Sequence, residues 1–419
     1  MSPDPRTVQR VYLVLMLFNT LAASFIWGIN TLFLLDAGLS ATAAFTANAL
    51  FTAGMVLFEV PTGVVADTWG RRASYLLGSV TLAVSTALYW LAWQMEAPFW
   101  AWAVTSALLG LGFTFFSGAT EAWLVDALKF TGFKGNLESV FAKGQIVSGA
   151  AMLSGSVVGG LVAQWTNLGV PYILRALALV VTFAVAFLYM RDWGFVPKSG
   201  KHPVREMGHV VRASVHFGLG NPPVRWMMLA APFTFGVGIY AFYAMQPYLL
   251  ELYGDEQAYS IAGLAAAIIA GAQIAGGMLA PRVRRLVRRR TTALIAGLLV
   301  EVALLAALGL TTAFWVAVGL LVLWGLAAAA TLPIRMTYMN GLISSEQRAT
   351  VLSFDNLLGS SGGVVIQPAL GKVADAASYA TSYLVGAGFT LAALPFMLLA
   401  RRERPVSDPV EFEPAQQGG

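Results

Sequence analysis

The sequence predicts an all-α membrane protein: twelve transmembrane helices arranged as two pseudo-symmetric six-helix halves. Three observations carry this. Of 419 residues, 58% are hydrophobic and only 11% are charged, against about 25% charged in ordinary soluble domains. Lipid must therefore solvate much of the surface. The apolar residues fall into twelve runs, each near the roughly 20 residues that cross a bilayer. One long polar stretch, 191–223, divides them six and six.

Taken in order, the runs centre on 10–34, 41–66, 73–94, 98–127, 139–165 and 170–190, then on 224–252, 258–281, 291–310, 314–338, 347–372 and 377–400. The first follows MSPDPRTVQR with no small-residue cleavage site, so it reads as an uncleaved membrane helix. The N-terminal half is 1–190 and the C-terminal half 224–401. The central loop 191–223 is expected to hold one short amphipathic helix at the inner surface, and the tail 402–419 to be disordered. Of 26 Lys and Arg, all but Arg175 and Lys372 fall on one side of this topology. The positive-inside rule makes that side cytoplasmic, with both termini inside, in the cell membrane. The basic balance then reflects anionic lipid headgroups rather than nucleic acid.

Several chemistries are excluded or disfavoured. There is no cysteine, hence no disulfide, thiolate metal site or cysteine nucleophile. His202, His209 and His216 are spaced seven apart in one polar stretch, about 10 Å apart along a helix axis, too far for two of them to chelate one metal from a single helix. No G-x-S-x-G and no G-x-x-x-x-G-K-[ST] occurs, so neither a hydrolase elbow nor a nucleotide-driven pump is supported. No cofactor is expected.

Two motifs repeat between the halves. GVVADTWGRR, Gly63 to Arg72, follows the second run, and GMLAPRVRRLVRRR follows the eighth. GSVVGG at 155–160 in the fifth run aligns with QPALGK at 367–372 in the eleventh. Two matches at equivalent places argue for duplication. With these residues the chain resembles the major facilitator superfamily over about 1–401. Gly63, Asp67, Gly70, Arg71 and Arg72 match its G-x-x-x-D-[RK]-x-G-[RK]-[RK] signature, with Thr68 where a basic residue is usual. GSVVGG, with Gly155, Gly159 and Gly160, is similar to the G-P-x-x-G-G antiporter signature of the drug exporters, with Ser156 in place of its proline. The arginine many drug:proton antiporters carry in span four is absent. The resemblance implies a monomeric secondary transporter working by alternating access. The first expectation is proton-coupled export of a small amphipathic compound; the alternative is an importer or facilitator of a nutrient or metabolite. The resemblance also implies a cytoplasmic latch. In it Asp67 lies near the start of span eleven, and Arg71 or Arg72 pairs with Asp126 at the inner end of span four.

An ionisable group at the bilayer centre costs at least about 2.5–3.5 kcal/mol on insertion scales. Glu59, Glu121, Glu301, Arg335 and Asp355 therefore each require a partner or a function. Glu59 shares a helix face with Asn48, Thr52 and Gly63; Asp355 is in line with Gly359, Gly362 and Ile366. In the family, spans two and eleven face each other, so Glu59 and Asp355 form either a gate or proton-binding pair, or two structural, hydrogen-bonded carboxylates. Spans four and ten line the cavity, and Glu121 is expected to pair with Arg335 in one state. Glu301, on a peripheral span, is expected to hydrogen-bond a neighbouring helix. Candidate substrate contacts are Asn19, Trp27 and Asn30 on span one; Phe113 and Ser117 on span four; Phe235, Phe242, Tyr243 and Gln246 on span seven; and Trp324 on span ten. Lone amides among aromatics suit an amphipathic, partly apolar ligand.

Overall fold

The computed structural model describes residues 4–197, 208, 212, 215–285, 287–344, 347–405 and 407–409. Span one is Pro5–Trp27 continued by Asn30–Asp36, span two Ala41–Thr68, span three Arg71–Gln94, and span four Phe99–Thr114 continued by Ala119–Phe130. Spans five to eight are Leu137–Trp165, Val170–Tyr189, Pro222–Tyr253 and Tyr259–Arg285. Spans nine to eleven are Arg290–Leu310, Phe314–Asn340 and Arg348–Ala376; span twelve is Tyr379–Leu391 continued by Leu394–Arg402. Eleven helical stretches among the described residues are long and apolar enough to cross a membrane. Span eleven has the length for it but a more polar sequence, with Asp355, Gln367, Lys372 and Asp375.

Local chemistry sets the helix starts. Ser40, Asn136 and Ser378 accept the N–H groups of Ala43, Glu138 and Thr381 through their side chains, satisfying donors that a first helical turn leaves free. Exposed apolar side chains recur at helical spacing, as in Val80, Val84, Leu88 and Leu91 of span three and Leu177, Val180 and Leu188 of span six. In water such stripes would be a liability; in a bilayer they are the lipid face.

The chain forms two compact units. One comprises Met1–Gly208 and Phe242–Ala267, the other His209–Ala241 and Ile268–Gly419. The hairpin joining spans seven and eight, Phe242–Ala267, groups with the N-terminal spans. The first unit is centred on an aromatic cluster in which Phe33 stacks on Tyr172 at 3.9 Å and packs against Tyr89, Trp93 and Trp102. The second is centred on apolar side chains such as Met227, Met228, Leu298, Tyr338 and Met397.

One terminal expectation changes. Part of the tail is ordered: Asp408 is 2% exposed and its side chain accepts the N–H of Thr291 at 2.8 Å. Arg290 donates to the carbonyls of Ser407 and Pro409, and Ser407 donates to the carbonyl of Tyr338. A carboxylate at the start of span nine satisfies free N–H groups there, a contact that composition alone does not reveal. Most of the expected central amphipathic helix, with His202 and His209, lies outside the described residues; the part described holds one π turn, Val215–Leu219.

Candidate functional site

The loop between spans two and three is built around Gly70 and an acid from elsewhere. Gly70 has φ +105°, which favours glycine, and a Cβ there would collide with the carboxylate of Asp192. That carboxylate accepts the N–H of Arg72 at 2.9 Å, at the start of span three. Arg72 donates to the carbonyl of Phe187 at 2.7 Å and lies over its ring. Arg71 ion-pairs with Asp67 at 2.8 Å and lies over Phe195. The loop therefore ties spans two and three to the end of span six. This corrects the expected partner: Asp126 makes no ion pair among the described residues, and Asp192 holds the Arg72 end. Gly63 has open space around its Cα.

Burial pushes the Asp192 carboxyl above the usual carboxylate range, partly offset by the N–H and charge of Arg72. A raised folded pKa means the folded loop holds the proton more tightly than the unfolded chain. Stability from this group is thus present at low pH and declines as pH rises through the raised value. Asp192→Asn keeps an acceptor and removes the charge, so its denaturation midpoint should lose that decline. Asp192→Ala removes the cap and should cost about 1 kcal/mol. Midpoints of both variants measured across acid to neutral pH test this; parallel pH profiles for wild type and Asp192→Asn would refute it.

Span one breaks between Trp27 and Asn30, and Gln246 spans the break. Its Nε2 donates to the carbonyl of Trp27 at 2.9 Å, and its Oε1 accepts the N–H of Thr31 at 2.8 Å. Both ends of the buried Gln246 amide are taken by these backbone groups, so it acts as a clamp on the broken helix. Glycines surround the same region. A Cβ on Gly28 or on Gly160 would come within 2.9 Å of the Gly263 Cα; one on Gly155 would meet Ser24, and one on Gly159 the backbone of Phe25. The GSVVGG glycines thus pack span five onto spans one and eight. Trp27 and Phe242 lie ring to ring at 4.4 Å, and Phe242 meets Tyr243 edge-on at 5.5 Å.

Asn30 donates to Asn48 Oδ1 at 2.8 Å and accepts from the Tyr172 hydroxyl at 2.9 Å. Asn19 is half-buried and makes no hydrogen bond among the described residues. Span four, expected to be continuous, breaks after Thr114, and Gly118 with φ +66° restarts it. The break exposes Ser117 and Glu121, and Ser117 donates to Glu59 at 2.6 Å. Phe113 packs edge-on against Phe51 at 5.4 Å.

In the second unit Arg335 and Asp355 form a bidentate pair, with Nη1 to Oδ2 at 2.6 Å and Nη2 to Oδ1 at 2.7 Å. Arg335 is 8% and Asp355 3% exposed. Nη2 also reaches the carbonyl of Met227 at 3.4 Å, and the guanidinium lies over Phe235 at 5.5 Å. The pair joins spans seven, ten and eleven. The sequence grouped Arg335 with Glu121 and Asp355 with Glu59; the structure pairs Arg335 with Asp355. The glycine face of span eleven packs on span seven, Gly359 against Phe235 and Gly362 against Pro232. Trp324 is buried beside Gly238. Glu301 makes no hydrogen bond among the described residues, so its expected neighbour is absent there.

Sequence reasoning missed Asp192 and Arg175. Asp192 follows span six by three residues, where it reads as a loop charge. Arg175 counts only as a basic residue away from the cytoplasmic side, yet it lies five residues inside an apolar run and is 3% exposed. That depth was the available signal.

The family model of the Major Facilitator Superfamily matches residues 12–364 and 285–418. The chain is similar to Multidrug resistance protein MdtG of Salmonella choleraesuis (strain SC-B67), 28% identical over 78% of each chain, and to MdtG of Salmonella typhimurium (strain LT2), 27% identical over 78% of each. Among solved structures it is similar in fold to the nucleoside transporter NupG, with TM-score 0.73, 12% identity and coverage of 94% of this chain and 98% of that one. It is also similar to a bacterial homologue of the human lysosomal transporter Spinster, inward-facing and unoccupied, with TM-score 0.73, 17% identity and coverage of 99% and 100%.

Proposed function

Because the chain belongs to the major facilitator superfamily, we propose that it exports a small amphipathic compound by alternating access in exchange for protons. It is a multi-pass membrane transporter and not an enzyme. Export is supported by the name of its relatives, multidrug resistance proteins. The observation that carries proton exchange is the buried Arg335–Asp355 pair joining three helices. The Asp355 carboxylate holds the Arg335 guanidinium by charge and by two hydrogen bonds. Protonating the carboxylate releases the arginine, so one proton can change which helix packing is favoured. Glu59 and Glu121, exposed at the span-four break, are second candidates for the proton. With no histidine in the spans, carboxylates are the groups suited to the task.

In this reading the transporter is a monomer, uses the proton gradient without a cofactor, and sits in the cell membrane with both termini cytoplasmic. The direct test uses inside-out vesicles and a panel of labelled amphipathic compounds. Export predicts accumulation that depends on the proton gradient and collapses with a protonophore. Accumulation insensitive to the protonophore refutes proton coupling; net movement the other way refutes export.

A further inference from the structure

Arg175 is a buried cation with no counter-charge against it among the described residues. It comes from span six and its guanidinium reaches between spans one, three and four. Nε donates to Thr86 Oγ1 at 2.9 Å and Nη1 to the carbonyl of Ala22 at 3.4 Å, with the Phe113 ring 5.7 Å from the guanidinium carbon. Nη2 has no hydrogen-bond partner among the described residues. The titratable groups around it are the phenols of Tyr172, Tyr243 and Tyr89, with no carboxylate among them. Among the described residues the other buried arginine, Arg335, has Asp355 against it. An unpaired buried charge is costly, and in membrane proteins it marks a site by default.

A second observation points the same way. Tyr172, one turn before Arg175, donates to Asn30, and Asn30 donates to Asn48. Asn48 Nδ2 is buried with no hydrogen-bond partner. This polar region therefore leaves two N–H donors unused, Asn48 Nδ2 at the end of the Tyr172–Asn30–Asn48 chain and, separately from that chain, Arg175 Nη2 on a cation. A ligand that completes it must bring acceptors and negative charge. The neighbouring surface is aromatic, with Phe113 over the guanidinium and Tyr243 beside Phe242 and Trp27. All these residues belong to the first compact unit.

We propose that Arg175 and Asn48 form the head-group subsite for an amphipathic organic monoanion, a carboxylate or sulfonate with an aromatic or aliphatic body. This rests on the export reading and narrows its substrate class. One cation matches one negative charge, which disfavours phosphates and polyacids. Bare inorganic anions share the charge but lack a body for the aromatic wall.

The test measures equilibrium binding of radiolabelled phenylbutyrate, phenylbutyramide and phenylbutylamine to the full chain in lipid nanodiscs. The three share one body and differ in head group. The wild type should bind the carboxylate at least about tenfold more tightly than either other probe, a difference of about 1.4 kcal/mol. Arg175→Met should erase that preference, and Arg175→Lys should retain part of it. Should Arg175→Met fail to fold, the wild-type ranking still decides. Equal binding of the three, a preference for the amine, or no binding overturns the proposal. Excess chloride that displaces phenylbutyrate as strongly as unlabelled phenylbutyrate does would assign an inorganic-anion site and also overturn it. Gradient-driven transport of the three probes is read separately. Proton-driven export of the amine or amide without carboxylate preference leaves the export reading intact and removes this one. Carboxylate preference with no gradient-driven movement does the reverse.

Discussion

Asp355→Asn protein is expected to lose transport driven by an imposed pH gradient while becoming markedly less stable. Asp355 is the bidentate partner of Arg335 in a buried setting. Removing one member of such a pair leaves the other charge uncompensated, which costs about 3–5 kcal/mol. Stability loss alone does not distinguish a coupling role from a structural one. The double variant Arg335→Met with Asp355→Leu removes both charges and fills similar volume, so its thermal midpoint should return close to wild type. If the pair carries the proton, the double variant still fails to respond to the gradient in proteoliposomes, whereas gradient-free exchange of substrate persists. A stable double variant with full gradient-driven transport would show that the pair only holds spans seven, ten and eleven together. Attention would then move to Glu59 and Glu121.

Gly263→Val should open the packing of span eight on spans one and five. Gly263 lies where Gly28 and Gly160 both approach its Cα within 2.9 Å of an added Cβ, and its own Cβ would meet the Ser156 carbonyl and the Gly160 backbone. Helix backbones cannot give way as a flexible side chain does, so overpacking here costs about 1–3 kcal/mol. That corresponds to about a fivefold to more than a hundredfold shift toward a conformation in which these helices separate. The chain has no cysteine, so a single Ser156→Cys reports cleanly. Ser156 is buried and should label slowly with a membrane-impermeant maleimide. Adding Gly263→Val should speed labelling at least about tenfold. Unchanged labelling in a folded variant would mean that this contact does not gate access.

Much of this protein was legible in one dimension because the bilayer imposes strict rules. Apolar runs of spanning length, basic residues on one side and GVVADTWGRR with GSVVGG sufficed for the fold class and the family. The glycines at 155, 159 and 160 were legible as packing positions, since small residues are what let helices approach in lipid. The breaks in spans one and four were not. A break in a membrane helix is set by who satisfies the freed backbone groups, and Gln246, which does so for span one, lies more than two hundred residues away from it.

Partners were the other blind spot. Helical periodicity assigns Arg335, Asp355, Glu59 and Glu121 to faces. It does not say which faces meet, nor at what depth. The sequence by itself determined which charges had to be accommodated inside the membrane, because each is expensive there whatever the packing. Only the tertiary structure decided how they are accommodated, Arg335 by Asp355 and Glu59 by Ser117, and only it revealed a buried Arg175 with no carboxylate against it among the described residues. The physical reason is range. Insertion cost is a property of one residue and its local run, whereas a hydrogen bond or ion pair requires atoms within about 3 Å, brought there by helices far apart in the chain.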